Sequence, residues 1–451
     1  MLRNDRDALS GIRGGTANEI AESLRERMER GLLGAGDALP PVRALAEALD
    51  VNRNTVMAAY RQLAQAGLVV SRGRAGTHVT GPATVAQDGF AADTVLRDVG
   101  TGNPDPARIP DPTSALTRIV GRPVLYGEPV IDRDLEAWAD EWMRAALPPE
   151  KPMRLTITSG ASDAIDRLLS TYLTRDDGVA LEDPCFLASL NTVRLGGYRA
   201  VPVPVDDEGM TVDGLRAALA DGVRAVVCTP RAQNPTGASI TERRAGQLRA
   251  ELAAHPYVLV IEDDHFSLLS RMPHASVIPS DHERWALVRS VSKFLGPDMC
   301  LAVTASDPET GSRLAQRLSP GTTWVSHLLQ RLTHALVTDP EVRSGIEAAA
   351  VHYAERNAAF AEALRSEGLT VSTGDGLNLW VRVPSPARDV CGQLMRRGWL
   401  ARPGDEFLLS DDAARFHLRL TVHDLTETDA ASLRRDLLAA IEATAGTRAV
   451  G

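Results

Sequence analysis

The N-terminal part of the chain shows helical periodicity followed by two short apolar runs. Apolar side chains recur at helical spacing in residues 16–31, 40–50 and 51–67, which predicts three helices. Residues 68–79 then indicate two strands that are joined by a turn rich in glycine and arginine. Three helices and a basic β-turn predict a winged helix-turn-helix domain over residues 1–82.

The pattern changes at about residue 150 to short β-rich runs that alternate with helical stretches. Residues 224–230 (RAVVCTP), 257–264 (YVLVIEDD) and 285–290 (WALVRS) are typical of buried strands, and residues 242–254 are typical of a helix. This alternation predicts an α/β fold with a mostly parallel sheet that is covered by helices on both faces. Ligands bind to such sheets at the carboxyl ends of the strands.

Weaker patterns set the remaining boundaries. Residues 83–97 follow a Gly-Pro pair and show neither helical nor strand periodicity, so they are predicted to be a linker. The α/β domain is therefore assigned to residues 98–451. Within it, residues from about 336 to 451 form a helix–strand–helix–strand–helix pattern, which predicts a smaller α+β lobe at the C-terminus.

Charge is distributed unevenly along the chain. The net charge is −10, but residues 1–82 hold eleven arginines against nine acidic residues, a net of +2, which leaves −12 for the remainder. This asymmetry suggests a nucleic-acid module attached to an acidic body. The four cysteines are scattered without CxxC spacing, and no apolar run is long enough for a membrane span. We therefore expect a cytoplasmic protein that has no membrane segment.

Chemically distinctive residues follow several of the predicted strands. The turn SGAS at 159–162 leads into a helix whose free amides can hold a phosphate, and Asp263 and Asp264 end a fully apolar strand. Lys293, in SVSK, is one of only two lysines among 49 basic residues. An amine can form a Schiff base with an aldehyde, whereas a guanidinium cannot at neutral pH. Lys293 is therefore predicted to be an imine-forming lysine, and Lys151 is predicted to be a surface charge.

These motifs together resemble two known families. Residues from about 98 to 440 resemble a class I/II aminotransferase of fold type I, which binds pyridoxal 5′-phosphate (PLP), and residues 14–80 resemble a GntR-type winged helix-turn-helix. Their fusion is similar to the MocR family of PLP-dependent transcriptional regulators. The segments TPRAQNPTG and SKFLGPD resemble the branch of that family that includes PtsJ.

The resemblance implies roles for individual residues around PLP. Lys293 would form the Schiff base, Asp263 would pair with the pyridinium nitrogen, and Asn234 would bond to the phenolic oxygen of the ring. Phe186 would stack on the ring, although it can equally be a core residue after a strand. The residues expected to hold the phosphate are Gly160, Ala161, Ser162 and Ser290.

Two further positions bear on assembly and on the ligand. Tyr126, in LYGEP, matches a tyrosine that reaches the phosphate of the neighbouring subunit, which implies a homodimer. Arg419, in LRLT, matches the arginine that binds an amino-acid carboxylate through a bidentate fork. The alternative for Arg419 is a strand arginine on a solvated face. No metal ion is expected in the site.

The chain departs from the family pattern at two positions of the expected site. The arginine that would pair with the phosphate seven residues after the lysine is replaced by Cys300, and Arg289 is a nearby substitute in sequence. The tyrosine expected two residues after the pyridine aspartate is His265, whose N–H can still bond to the phenolic oxygen but titrates near neutrality. A structural histidine at a strand end is the alternative for His265.

The GntR-type resemblance likewise implies contacts with double-stranded DNA. An arginine at the start of the second helix would touch phosphate, the start of the third helix would enter the major groove, and the wing would approach the backbone. These residues are Arg43, then Arg53, Asn54 and Thr55, then Arg72, Arg74 and Thr77. The sequence LPPV in place of LPS removes a capping serine from the second helix. A protein–protein adaptor is the alternative for this module.

Two functions are compatible with these residues. The first is a transcriptional regulator that binds an operator and senses PLP or an amino compound, with the effector changing the spacing of two winged modules. The second is a working aminotransferase with a secondary DNA-binding module, because Lys293, Asp263, Asn234 and Arg419 suffice for proton transfer and carboxylate recognition. The fusion and the two departures favour the regulator.

Overall fold

The computed structural model describes residues 11–34, 36–65, 68–71, 76–79, 95–119, 123–318, 323–372, 374–409 and 414–448. The chain forms two compact units, Met1–Ala86 and Gln87–Gly451. No helix in these described ranges combines the length and the apolar character that crossing a membrane requires.

In its described residues, the N-terminal unit contains three helices and one pair of antiparallel strands. Helix α1 is Ala17–Glu29, α2 is Val42–Leu49 and α3 is Arg53–Gln65, and strand β1 (Val69–Ser71) pairs with β2 (Thr77–Val79) in antiparallel fashion. The apolar side chains of the three helices meet in one core, which contains Ile20, Leu24, Leu45, Val56 and Leu63, all fully buried. These helices and strands confirm the predicted winged helix-turn-helix. Amphipathic helices this short need such a shared core to be stable.

Capping residues explain where these helices begin. The Thr16 hydroxyl accepts a hydrogen bond from the Glu19 amide, while the Glu19 carboxylate accepts from the Thr16 amide, which forms a capping box for α1. Asn52 Oδ1 accepts from the Asn54 amide at 2.8 Å and so starts α3. Helix α2 follows Pro41 without a side-chain cap, as the LPPV sequence predicts.

The second unit contains an eight-stranded sheet. Strand β3 (Arg97–Asp98) precedes it and lies outside it. The strands of the sheet are β4 Arg154–Thr158, β5 Gly178–Asp183, β6 Arg199–Asp206, β7 Gly209–Met210, β8 Ala225–Cys228, β9 Leu259–Asp263, β10 Trp285–Ser290 and β11 Ala302–Ser306. Their order is β4-β11-β10-β9-β8-β5-β6-β7, with β11 antiparallel to both neighbours, β7 antiparallel to β6, and the remaining pairs parallel. The predicted mostly parallel sheet is confirmed.

Helices cover both faces of this sheet. They are α4 Thr113–Leu116, α5 Arg133–Arg144, α6 Ala161–Tyr172, α7 Leu187–Leu195, α8 Val212–Ala220, α9 Glu242–Ala253, α10 Ser292–Leu295, α11 Pro308–Leu318 and α12 His327–Val337. Successive residues of the central strands enter different apolar clusters: Val226 and Val260 belong to one, Val227 and Ile261 to the other. Successive side chains of a strand point to opposite faces of the sheet. A strand whose sheet is covered by helices on both faces therefore needs an unbroken run of apolar residues.

The C-terminal lobe is an α+β structure. Its elements are α13 Pro340–Ser366, β12 Thr370–Ser372, β13 Asn378–Arg382, α14 Ala387–Met395, β14 Trp399–Leu400, β15 Arg402–Pro403, β16 His417–Thr421 and α15 Glu427–Arg448. Four strands form a sheet in the order β12-β13-β16-β15, and β14 pairs with β3 in parallel. Arg97, assigned to the linker from the sequence, is thus in a strand that adds to this lobe, while residues 83–94 of the assigned linker lie outside the described residues.

Candidate functional site

Lys293 and Asp263 lie at the carboxyl ends of two adjacent strands. Asp263 is the last residue of β9, which runs parallel to β10, and Lys293 lies in the short helix α10 that follows β10. Burial, with Asp264 and Glu182 nearby, raises the pKa of Asp263 to about 7, while the Lys293 ammonium opposes that rise. Asp263 is 3% exposed, and its Oδ1 has no hydrogen-bond partner among the described residues. A buried carboxylate oxygen of this kind fits a cationic ring nitrogen.

The Lys293 amine points into the same site. It is half-buried, and its Nζ donates a hydrogen bond to the main-chain oxygen of Gly102 at 3.0 Å. Strand β16 contributes Arg419, whose side chain is fully buried and lies over the Phe407 ring at 4.8 Å. Arg419 Nη1 donates to Asn234 Oδ1 at 3.3 Å, so the structure brings Arg419 and Asn234 together. The solvated-face alternative for Arg419 is wrong.

Two aromatic rings flank the ends of β5 and β9. Phe186 precedes helix α7 and His265 follows β9; both are half-buried. Their ring planes differ by 11° and their centroids are 6.3 Å apart, so the two rings are nearly parallel. The role of each toward a cofactor stays a prediction, but His265 is held in an aromatic environment rather than in bulk solvent.

Three of the four expected phosphate-binding residues form the start of helix α6. Gly160 precedes the helix with a φ of +92°, and no side chain caps the first amides, which include those of Ala161 and Ser162. Ser290 is 5% exposed, and its hydroxyl accepts from the Ser292 amide at 3.1 Å. The uncapped helix start offers backbone donors and a dipole that both favour an anion.

Cys300 also lies at this helix start. A Cβ added to Gly160 would come within 3.3 Å of Cys300 Sγ, and that thiol donates to the Ser159 main-chain oxygen at 3.3 Å. The side chain that replaces the expected arginine therefore contacts the predicted phosphate loop, but without the positive charge of a guanidinium.

Arg289 does not substitute for the missing arginine. Its Nε donates to Asp264 Oδ2 at 2.9 Å, and its Nη1 donates to the Trp142 main-chain oxygen at 2.6 Å. Arg231 binds both oxygens of Asp264, at 3.0 and 2.6 Å. Because the two guanidinium groups surround it, the pKa of Asp264 is held well below its usual range despite burial. Arg289 is thus committed to a buried ion-pair cluster.

Sequence reasoning missed one buried basic residue and one buried acidic residue near the site. Arg231 is one, and it stands in the segment TPRAQNPTG, directly after β8. Glu182 is the other; it accepts from the Thr229 amide at 3.1 Å, and burial raises its pKa to about 7. A charged residue within an apolar strand run was the available signal for Glu182, because such a group must find partners inside the protein.

The prediction for Lys151 is wrong. Its side chain is buried, with Nζ donating to the main-chain oxygens of Pro279 and Ser280 at 2.8 and 2.6 Å and lying 5.2 Å from the centre of the Trp285 ring. Burial lowers the pKa of Lys151. Three donors on a compact ammonium suit two carbonyls and an aromatic face. Neither lysine of this chain is therefore an ordinary surface charge.

Tyr126 lies on the surface of the second unit. It is 87% exposed, and its ring is 5.3 Å from that of Trp324. The structure thus leaves Tyr126 accessible to a second copy of the chain, and its proposed contact with a partner's phosphate stays a prediction.

The N-terminal unit presents three of the predicted DNA-contact residues on its surface. Arg43 in the first turn of α2 is exposed, as are Arg53 and Asn54 at the start of α3, and Thr55 is half-buried. Neither arginine forms an ion pair with any residue that the structure describes. The Tyr60 hydroxyl donates to the Pro40 main-chain oxygen at 2.6 Å and so fixes α3 against the start of α2.

The wing residues are only partly described. Thr77 begins β2, is half-buried, and provides the main-chain oxygen that accepts from the Leu39 amide at 2.7 Å. Arg72 and Arg74 lie outside the described residues.

Comparison with family models and with solved structures agrees with this architecture. Residues 16–79 match the bacterial regulatory proteins of the gntR family, and residues 121–435 match aminotransferase class I and II. Among solved structures, kynurenine aminotransferase from Pyrococcus horikoshii superposes with a TM-score of 0.69 at 22% identity, covering 78% of this chain and 91% of that chain. LysN, the α-aminoadipate aminotransferase from Thermus thermophilus, gives 0.68 at 22% identity, with 78% and 94% covered. These likenesses show the fold.

Relatives in sequence share both parts of the chain. The vitamin B6 salvage pathway transcriptional repressor PtsJ from Salmonella typhimurium is 47% identical over 427 residues, which covers 94% of this chain and 98% of the relative. The probable rhizopine catabolism regulatory protein MocR from Rhizobium meliloti is 25% identical over 431 residues, covering 86% and 85%. The chain belongs to the family of MocR-type regulators, in which a gntR-family winged helix is fused to an aminotransferase class I and II domain.

Proposed function

We propose that this protein is a transcriptional regulator that binds an operator in double-stranded DNA through its winged helix and binds PLP in its aminotransferase-like domain. The observation that carries the proposal is the buried Asp263 oxygen beside Lys293, in a chain 47% identical over almost its whole length to a repressor of the vitamin B6 salvage pathway. By extension, we propose that it represses genes of vitamin B6 salvage.

The charged and hydrogen-bonding groups at the site fit PLP. When bound, PLP supplies an electrophilic aldehyde and an electron-withdrawing ring. Asp263 would hold a proton on the ring nitrogen, because an adjacent cation favours its ionised form. Asn234 and His265 would orient the phenolic oxygen, and the uncapped amides before α6 would bind the phosphate.

Operator binding and cofactor binding can be tested separately by two variants of the full chain. Lys293→Ala should abolish the absorption band of bound PLP and the effect of PLP on operator affinity. Arg53→Ala should weaken operator binding by about tenfold to a hundredfold, because a bidentate contact with guanine is worth about 1–3 kcal/mol. Electrophoretic mobility shifts on the DNA upstream of the gene, with and without PLP, provide the measurement.

The matched control for Arg53 is Arg25→Ala, which removes an arginine on α1 that pairs with Glu22. It should leave operator affinity nearly unchanged. Absence of any footprint on that DNA, with or without PLP, would contradict the proposed function.

A catalytically active aminotransferase is the second candidate. Arg419 favours it, because a fully buried guanidinium next to Asn234 is suited to a substrate carboxylate. Stopped-flow spectra with amino acids separate the two functions. Conversion to the amine form of the cofactor with keto-acid release at about 1 s⁻¹ or faster would favour the enzyme.

We also propose that the protein is a homodimer. Around Tyr126 the second unit exposes Leu125, Val130 and Leu328, each between 44% and 64% exposed. Exposed apolar side chains of this size in one region favour a protein–protein contact. Sedimentation of the full chain should give the mass of a dimer, and Tyr126→Asp should shift that mass toward the monomer.

A further inference from the structure

Both cations of the candidate ligand site are bonded to one short main-chain segment. This segment, Val99–Asn103 (VGTGN), accepts a hydrogen bond from Lys293 Nζ at the Gly102 oxygen, 3.0 Å away. It accepts another from Arg419 Nη2 at the Gly100 oxygen, 2.6 Å away. The groups that would take the aldehyde and the carboxylate of a ligand therefore already have carbonyl partners from within the chain. We refer to Val99–Asn103 as the strap.

The strap is anchored to the C-terminal lobe at both of its ends. The Thr421 amide donates to the Val99 oxygen at 2.6 Å, and His423 Nε2 lies 3.1 Å from the Asn103 oxygen. Between them, the Gly102 amide donates to the Thr421 hydroxyl at 3.0 Å. Gly102 has a φ of +64°, and a Cβ there would lie 3.1 Å from Arg419 Nη2, so glycine allows this close approach.

The strap is also close to the linker along the chain. Strand β3, Arg97–Asp98, immediately precedes it, and the chain before β3 leads to the winged helix. It is thus the first part of the ligand site that the chain reaches after the DNA-binding unit. Between the strap and the linker lies only this short strand, which pairs with β14, so a displacement of the strap would reach the linker through β3.

We propose that the strap is an internal competitor of the ligand and that its displacement carries the ligand signal toward the linker; this inference rests on the proposed function. When the neutral amine of Lys293 condenses with the aldehyde of PLP, a C=N bond forms, the C=O bond breaks, and both amine hydrogens leave with the oxygen as water. The nitrogen then loses the N–H that it donates to Gly102. An amino-acid carboxylate competes with the Gly100 oxygen for Arg419, because a charged acceptor forms the stronger bond.

Hydrogen exchange measured by mass spectrometry on the full chain tests the displacement. The three states are the protein without PLP, with PLP, and with PLP plus α-aminoisobutyrate, an amino acid that has no α-hydrogen to lose. Exchange of the amides of residues 100–103 should become about fivefold faster with PLP, because the strap opens more readily once the Gly102 oxygen has lost its hydrogen bond from Lys293. Adding α-aminoisobutyrate should raise the exchange rate of these amides further. Unchanged exchange in both liganded states overturns the inference.

A single side-chain change tests the coupling. Thr421→Val removes the hydroxyl that accepts from the Gly102 amide and leaves the predicted ligand-binding side chains in place. With its strap weakened, the Thr421→Val variant should bind PLP at least as tightly as the native chain does. The PLP-dependent change in its operator affinity should fall to nearly none. Thr370→Val, on the exposed start of β12, is the matched control and should keep the full response.

The outcomes distinguish this inference from the proposed function. If operator affinity of the native chain does not respond to PLP at all, the proposed function fails. If the native chain responds and Thr421→Val responds equally, the strap is only structural and the inference fails alone. Should Thr421→Val unfold, Gly102→Ala provides the second test, because its Cβ would press on Arg419 and should likewise reduce the response.

Discussion

The two ends of the candidate cofactor site are built from different kinds of group. At the ring end, Asp263 is 3% exposed, lies beside Lys293, and is accompanied by the fully buried Glu182. At the predicted phosphate end, the donors are main-chain amides and hydroxyls, and exposed Cys300 stands at the position where the resemblance predicts an arginine. Under the proposed function, the ring would therefore be recognised by charge, and the phosphate by neutral dipoles.

This difference has a consequence for occupancy. The buried arginines next to the site, Arg231 and Arg289, are both bound to Asp264 and leave the phosphate end without their charge. A weaker hold on the phosphate raises the dissociation constant of the cofactor. Under the proposed function, occupancy would then change at higher concentrations of free PLP, so that the site would respond to PLP as a sensor does, whereas an enzyme benefits from permanent saturation.

Removing the charge at the ring end should have the largest effect. Asp263→Asn should weaken PLP binding by about 100-fold, because a hydrogen bond to a charged group contributes about 1.5–3 kcal/mol. Titration of the bound-cofactor absorption band measures the affinity. Asp298→Asn, an exposed acid five residues after Lys293, is the control and should bind as the native chain does. Binding by Asp263→Asn within about twofold of the native value would show that the ring end does not rely on this charge.

The second-largest effect should come from protonation of Glu182 at the ring end, which changes the free energy of unfolding with pH. Glu182 has its pKa raised to about 7 by burial, so the folded state holds this proton more tightly than the unfolded state does. As pH rises from 5 to 8 the native chain should lose roughly 2 to 3 kcal/mol of its free energy of unfolding from this group, and Glu182→Gln should lose less than the native chain by about that amount. Urea unfolding at both pH values measures the difference. If the difference in the free energy of unfolding between Glu182→Gln and the native chain is the same at both pH values, the raised pKa of Glu182 is contradicted.

Adding charge at the phosphate end should have the smallest effect. Cys300→Arg restores a cation beside the predicted phosphate loop and should tighten PLP binding by about tenfold, since the exposed position weakens the pair. Cys300→Ser removes the thiol without adding charge and should leave the affinity unchanged. Equal affinities for the serine and arginine variants would place the phosphate away from Cys300.

Much of the fold could be predicted from the sequence because local patterns suffice for it. The apolar run of β9 predicts a strand covered on both faces, and Asn52 starts α3 through a bond that spans two residues. Placing Asp263 and Lys293 at strand ends needed only the order of elements along the chain. The prediction for Lys151 failed because a short polar segment gives no indication of which carbonyls will surround it.

By itself, the sequence determined the element order, the two-part architecture, and the residue types at the strand ends, because periodicity and capping act over a few positions. Only the tertiary structure decided which charges meet. Arg419 and the Gly100 oxygen are 319 residues apart, and Arg231 reaches Asp264 across 33. Such pairings depend on how distant elements pack, and burial then makes each of them strong, because a charge removed from water must bind whatever partner the fold places beside it.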